Sequence, residues 1–161
     1  MSLSGRIKAQ ASPNVSVLLS GKASCRGGKQ IRIDIKTAKQ WCEYHGIPVK
    51  NNIAILYKGL DDNFLAQRSF PYLPSSTPIA PDWDNGKAEC GGGLHFSPTP
   101  SMTLRYNDTA TRFMACPVNL KDMRSPQETD EYPDKIKARG CRKPIYEVDI
   151  DGKRIAQKKR L

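Results

Sequence analysis

Long hydrophobic runs are missing from this chain. No apolar stretch approaches the roughly 18–20 residues a membrane-spanning helix needs. The opening residues, Met1 to Lys8, lack the apolar segment of a secretion signal. The expectation is therefore a cytoplasmic protein with no membrane partner. Aromatic residues make up only 7% and hydrophobic ones 38%, with a mean hydropathy of −0.59, so the core must be modest and the surface polar. The 161 residues still suffice for one compact domain. No glycine-rich loop ends in Gly-Lys-Ser or Gly-Lys-Thr, which removes the common nucleotide-phosphate loop.

Paired cysteines are also missing. The five, Cys25, Cys42, Cys90, Cys116 and Cys141, are odd in number and widely spaced, unlike a secreted disulfide framework. Without a Cys-x-x-Cys pair there is no zinc-ribbon signal. The expectation is small buried apolar side chains and no metal. The one scattered set that would hold a metal is Cys90, His95, Cys116 and Cys141.

Charge is what the chain has in abundance, and it is unevenly spread. Net charge is +10; residues 1–50 carry +7, residues 51–134 carry −4 and residues 135–161 carry +7. If the two basic ends meet, they form one patch for an anionic partner, nucleic acid above all. Its residues would be Lys22, Arg26, Lys29, Arg32, Lys135, Lys137, Arg139, Arg142, Lys143, Lys158, Lys159 and Arg160. A solubilising surface with a basic tail is the plainer reading of the same pattern.

Along the chain, residues 1–14 read as a loose leader and 156–161 as a basic tail. Between them, 15–155 reads as a single domain, its 15–50 part a basic subregion. Val15–Ser20 and Gln30–Ile35 read as strands, the second with Ile31, Ile33 and Ile35 on one face. The two should pair as a hairpin. Thr37 can cap a helix over Ala38–His45, closed by Gly46, with Ala38, Trp41, Cys42 and His45 in one stripe. His45 suits the helix end rather than a ligand set.

Ile53–Lys58 reads as a buried strand. Four prolines between 66 and 88 forbid regular structure there, so this segment should wrap the surface, anchored by Phe70, Tyr72 and Trp83. Ser101–Tyr106 reads as a short helix and Ala110–Asn119 as a strand at an edge or bulge, because of Pro117. Lys135–Arg139 alternates basic and apolar. Asp151-Gly152 signals a two-residue hairpin turn. The fold class is α+β, with a mixed, mainly antiparallel sheet, one or two short helices and a long proline-rich cover. Ile31, Ile33, Trp41, Ile55, Leu94, Phe96, Phe113 and Val148 are the expected core.

The segment Glu89–Pro100 draws these pieces together. Gly91 to Gly93 permit positive φ and close approach; Leu94 and Phe96 then share one strand face, turning His95 to the other. Lys58, on its own strand, can reach the same surface. His95, Lys58 and Cys90 are the candidate catalytic residues, and the glycine amides are candidate anion donors. Asp61, Asp62, Asp82 and Asp84 read as turn caps.

Two resemblances follow from these residues. Tyr57-Lys58-Gly59-Leu60-Asp61, Phe70–Tyr72, Cys90 with Gly93–Phe96, Tyr106, Arg112-Phe113 and Lys135-Ile136-Lys137 occur in an order that resembles an uncharacterised small domain of bacteriophage and bacterial proteins. That likeness covers about 53–150 and implies a phage or prophage origin without an assigned activity. A second pattern is similar to ADP-ribosyltransferases: Leu56–Gly59, Gly92–Ser97 and Arg112–Val118 follow the order of their sheet. It implies NAD as cofactor. Lys58 stands where that family has His or Arg, His95 replaces its stacking Tyr, and Glu128 and Glu131 match its catalytic Glu by position only.

The leading expectation is a non-enzymatic accessory protein, phage-associated, that binds nucleic acid or another anionic surface without a cofactor. An NAD-binding domain and a virion or assembly component binding a phage or host protein are the other two.

Overall fold

The computed structural model describes residues 2–3, 5–33 and 35–156. Among the described residues it is strand-rich, with one α-helix and four small sheets, two antiparallel and two parallel, an arrangement compatible with α+β. No helix among the described residues is long and apolar enough to cross a membrane.

The described part of the first 33 residues coils rather than folding back. Strands β1 (Ser2–Leu3), β3 (Ser16–Ser20) and β5 (Lys29–Ile33) pair in parallel. On a second side β2 (Lys8–Gln10) pairs in parallel with β4 (Ser24–Arg26). The expected hairpin is thus replaced by a parallel rung, and the expected loose leader supplies two strands. The cause lies in the turns: Gly21, Gly27 and Gly28 all have positive φ and send the chain around through β4 before β5 begins. Val17, Leu19 and Ala23 fill the small interior.

Ile31 points outward and is 44% exposed, contrary to its placement in the core. In parallel register Val17 and Leu19 sit beside Gln30 and Arg32, so these polar side chains lie over the inner face. They close it with hydrogen bonds: Gln30 Nε2 donates to the Cys25 carbonyl at 2.9 Å, and Arg32 to those of Gly21 and Ala23 at 2.7 and 2.9 Å. The last rung of a coil needs donors for its turn carbonyls more than it needs apolar bulk. The side chain of Ile33 lies outside the described residues, as does Asp34.

Helix α1 (Ala38–Tyr44) opens with a capping box in which the Gln40 amide donates to Thr37 Oγ1 at 3.2 Å and the Thr37 amide to Gln40 Oε1 at 3.1 Å. Ala38, Trp41 and Cys42 are buried. Trp41 Nε1 donates to the Pro133 carbonyl at 2.8 Å, and His45 Nε2 lies 3.1 Å from the same oxygen.

The central pair is β7 (Ile53–Leu60) against β9 (Arg112–Asn119), antiparallel over their whole lengths. β6 (Val49–Lys50) and β11 (Tyr146–Val148) flank them. Both faces are covered. Leu56, Leu60, Met114, Cys116 and Val118 join Trp41, Tyr72, Leu94 and Phe96 in the main core, while half-buried Ile55 packs against Phe113, Ala115 and Val148. Pro117 lies beyond the three residues that β11 pairs, so its missing N–H costs no ladder bond; its carbonyl accepts from the Arg142 amide at 2.7 Å. At the other end Asp149–Lys153 turns the chain with positive φ at Gly152 alone (83°). A two-residue turn needing positive φ at Asp151 as well is therefore not formed.

Beyond β7, β8 (Leu94–Phe96) pairs antiparallel with β10 (Ile136–Ala138). Reciprocal bonds of 2.9 Å between Tyr57 and Ser97 tie β8 to β7. Gly59 admits the 3-10 turn Ser101–Arg105, since a Cβ there would stand 2.6 Å from Thr103 Oγ1.

Candidate functional site

Lys58 continues the face of β7 that carries Ala54 and Leu56, so its stem runs along the main core. Its ammonium emerges beside β8 and donates to the His95 carbonyl at 3.0 Å. On β8, Leu94 and Phe96 turn into the core, and His95 faces the other way. Both residues line two adjoining cavities. One, of about 400 Å³, is also walled by Gln67, Arg68, Phe70, Tyr72, Asp82 and Cys90. The other, of about 150 Å³, is also walled by Tyr57, Gln67, Tyr106, Asn107 and Lys135.

The glycine turn is shaped by a close approach. A Cβ on Gly92 would stand 1.8 Å from the Asp82 carbonyl oxygen, and one on Gly93 would stand 3.0 Å from the Trp83 ring. The Gly93 amide donates to Asp82 Oδ1 at 3.0 Å. Arg68, on the wall of the larger cavity, and the adjacent Ser69 have φ of 64° and 58°, a conformation that persists where its surroundings enforce it.

Three lysines surround His95. Burial first, then the ammonium groups of Lys135, Lys58 and Lys137, push the imidazole down to about 4, with Asp82 partly opposing them. Near pH 7 the ring is neutral, and its Nε2 is buried without a hydrogen-bond partner among the described residues. Lys58 is itself pushed down to about 8, chiefly by burial, with Cys116 opposing and Lys135 adding to the fall. Among the described residues Lys58 has no carboxylate partner; the Tyr72 ring centroid lies 5.8 Å away.

The other two lysines are engaged. Lys135 stands 3.2 Å from Cys90 Sγ and over the rings of Tyr132 and Tyr106, at 4.4 and 5.3 Å. Lys137 is fully buried, and both oxygens of Asp84 accept from it at 2.7 Å. That bond holds the Asp84 carboxyl below its usual range. Lys137 is therefore an internal charge and no part of an accessible basic face.

The remaining basic candidates do not gather in the cleft. Arg26 and Lys29 are exposed on the coil, and Arg139, Arg142 and Lys143 are exposed beyond β10. Lys22 lines a cavity with Glu128, Asp130 and Glu131. Arg32 lines another, of about 230 Å³, where it meets Lys135 and Lys137 of the other basic end together with Glu89, Arg124, Glu128 and Asp130. Part of the N-terminal positive charge thus faces the acidic middle of the chain. Lys158, Lys159 and Arg160 lie outside the described residues.

The scattered metal set does not assemble either. Cys90 is exposed whereas Cys116 and Cys141 are buried. Among the described residues no three His, Cys, Asp or Glu side chains gather as a cation site. Glu128 and Glu131 line the cavities beside the coil, not the Lys58–His95 cleft.

Sequence reasoning missed Gln67, Tyr106 and Asn107 as wall residues and Asp82 as the support of the glycine turn. Lys135 carried a usable signal, since Lys135-Ile136-Lys137 places both lysines on one side of a strand. Gln67 and Asn107 sit on turns, where no periodicity marks them. The chain matches no protein-family model, no curated protein and no solved structure, so both resemblances rest on their motifs.

Proposed function

We propose that this chain is a non-enzymatic accessory protein that binds an anionic partner, nucleic acid, by taking a phosphate into the Lys58–His95 cleft. The observation that carries this reading is the Lys58 ammonium: a cation drawn into a low-dielectric wall with no carboxylate beside it among the described residues. An unpaired buried charge is costly, and a bound phosphate supplies the missing counter-charge. Lys135 and Arg68 add positive charge on the walls, and Phe70, Tyr72 and Tyr106 offer ring faces for stacking.

In this reading residues 15–155 act as one α+β unit, and the proline-rich segment closes one side of the cleft. Exposed Arg26, Lys29, Arg139, Arg142 and Lys143 add diffuse attraction. The motif resemblance supports a phage or prophage role. Five free thiols suit a reducing cytoplasm. The NAD-transfer reading has less support, because no glutamate lines the cleft among the described residues.

Fluorescence anisotropy with a short single-stranded oligonucleotide tests the proposal. Lys58→Met and Lys135→Ala should each weaken binding and reduce its salt slope by about one. Binding unchanged in both variants refutes the cleft as the site.

A further inference from the structure

We infer that Lys58 is a carbonyl-reactive amine and that the cleft accepts a phosphorylated aldehyde, which Lys58 holds as an imine. This rests on the anion-binding reading of the same cleft and names the ligand chemistry. Three observations converge on it. Of the lysines at the cleft, Lys58 is the one without a hydrogen-bonded side-chain partner among the described residues: Lys137 is clamped by Asp84 and Lys135 lies against Cys90. Lys58 lines both cavities, so a carbonyl in the larger one can approach it while a phosphate stays near Lys135 or Arg68. Beside it His95 presents a neutral ring whose buried Nε2 has no partner.

The step balances without oxidant or reductant. The Nζ lone pair attacks the aldehyde carbon, and the C=O electrons move onto oxygen. A proton passes from nitrogen to that oxygen, giving a carbinolamine. The hydroxyl then leaves with one more proton as water, and a C=N bond forms. Solvent in the cleft carries the proton, and the neutral His95 ring, its Nε2 unpartnered, offers a hydrogen bond to the carbonyl oxygen and the departing hydroxyl. With the amine drawn down to about 8, about a quarter of it is unprotonated at pH 7.5, a far larger share than an ordinary lysine offers. Phe70, Tyr72 and Leu94 on the larger cavity's wall limit the water that would hydrolyse the imine.

Two sources supply this chemistry: a small phosphorylated aldehyde, or the ring-opened sugar of an abasic nucleotide. The wild-type protein is incubated with substoichiometric pyridoxal 5′-phosphate, or with an oligonucleotide carrying one abasic residue. Each sample is reduced with borohydride and mapped by peptide mass spectrometry. The expected result is one dominant adduct at Lys58, absent in Lys58→Arg, and formed more slowly in His95→Ala at unchanged melting temperature. An adduct with pyridoxal 5′-phosphate alone supports the small-molecule source, and one with the abasic strand supports the nucleic-acid source. Label spread over exposed lysines with Lys58 unmodified in both arms overturns the inference. Equal labelling of Lys58 by pyridoxal, which lacks the phosphate, overturns the phosphate requirement. Anisotropy with the intact oligonucleotide separates the two readings. Cleft-dependent binding without a Lys58 adduct refutes the imine and leaves anion binding standing. A Lys58 adduct without oligonucleotide binding refutes nucleic acid and leaves the imine standing.

Discussion

The ammonium of Lys58 donates to the backbone carbonyl of His95 at 3.0 Å, joining β7 to β8 at the point where the two cavities meet. One hydrogen bond to a neutral carbonyl is small compensation for a buried charge over the Tyr72 ring. Lys58→Met keeps the stem's packing and removes the charge. Its stability at pH 7 should match wild type or exceed it by about 1 kcal/mol. Urea denaturation measures this; a loss beyond about 2 kcal/mol would make the amine a structural tether instead.

His95 gives a pH signature. Its folded value near 4 lies below the unfolded value of 6.5, so the unfolded chain binds more protons between them. The stability contribution is complete above pH 6.5 and is lost as pH falls toward 4. The loss is at most about 3 kcal/mol, and less after discount for the ring's partial exposure. His95→Gln, which cannot titrate, should flatten the acid limb of stability plotted against pH. A variant with the same acid limb as wild type would place the responsible group elsewhere.

Two hydrophobic substitutions should behave oppositely. Phe96 is 1% exposed and meets Tyr72 edge-on, with ring centroids 6.4 Å apart, so Phe96→Ala should cost about 3–5 kcal/mol. Ile31, 44% exposed, should cost under about 1 kcal/mol on the same change. Equal shifts in denaturation midpoint would contradict the packing described for both.

Gly92→Ala should disturb the cleft itself. The added Cβ meets the Asp82 carbonyl at 1.8 Å, and backbone must move to relieve it. The expected cost is about 1–3 kcal/mol, with weaker oligonucleotide binding. Wild-type stability and binding together would show that the turn does not depend on this contact.

The body of the protein was largely legible because its signals are local. Thr37 and Gln40 spell out a capping box, and the alternation of Leu94, His95 and Phe96 fixed which side chain faces the cavities. The coil was not legible, since parallel and antiparallel partners share one period-two pattern. The isoleucines of 31–35 then suggested an inward face that Gln30 and Arg32 occupy instead. Lys137 misled for a related reason. A lysine in an alternating basic segment looks solvated until its partner, Asp84, is brought across from 53 residues away. Charge counted along the chain likewise hid the meeting of Lys22 and Arg32 with Glu128 and Asp130.

The most direct test of anion binding in the cleft is oligonucleotide affinity measured from pH 6.5 to 9.5 for wild type and Lys58→Met. Lys58 loses its proton near pH 8, so wild-type affinity should fall through that value, while the variant binds weakly with a flat profile. A variant that binds as tightly as wild type, with the same fall across pH 8, would contradict the account.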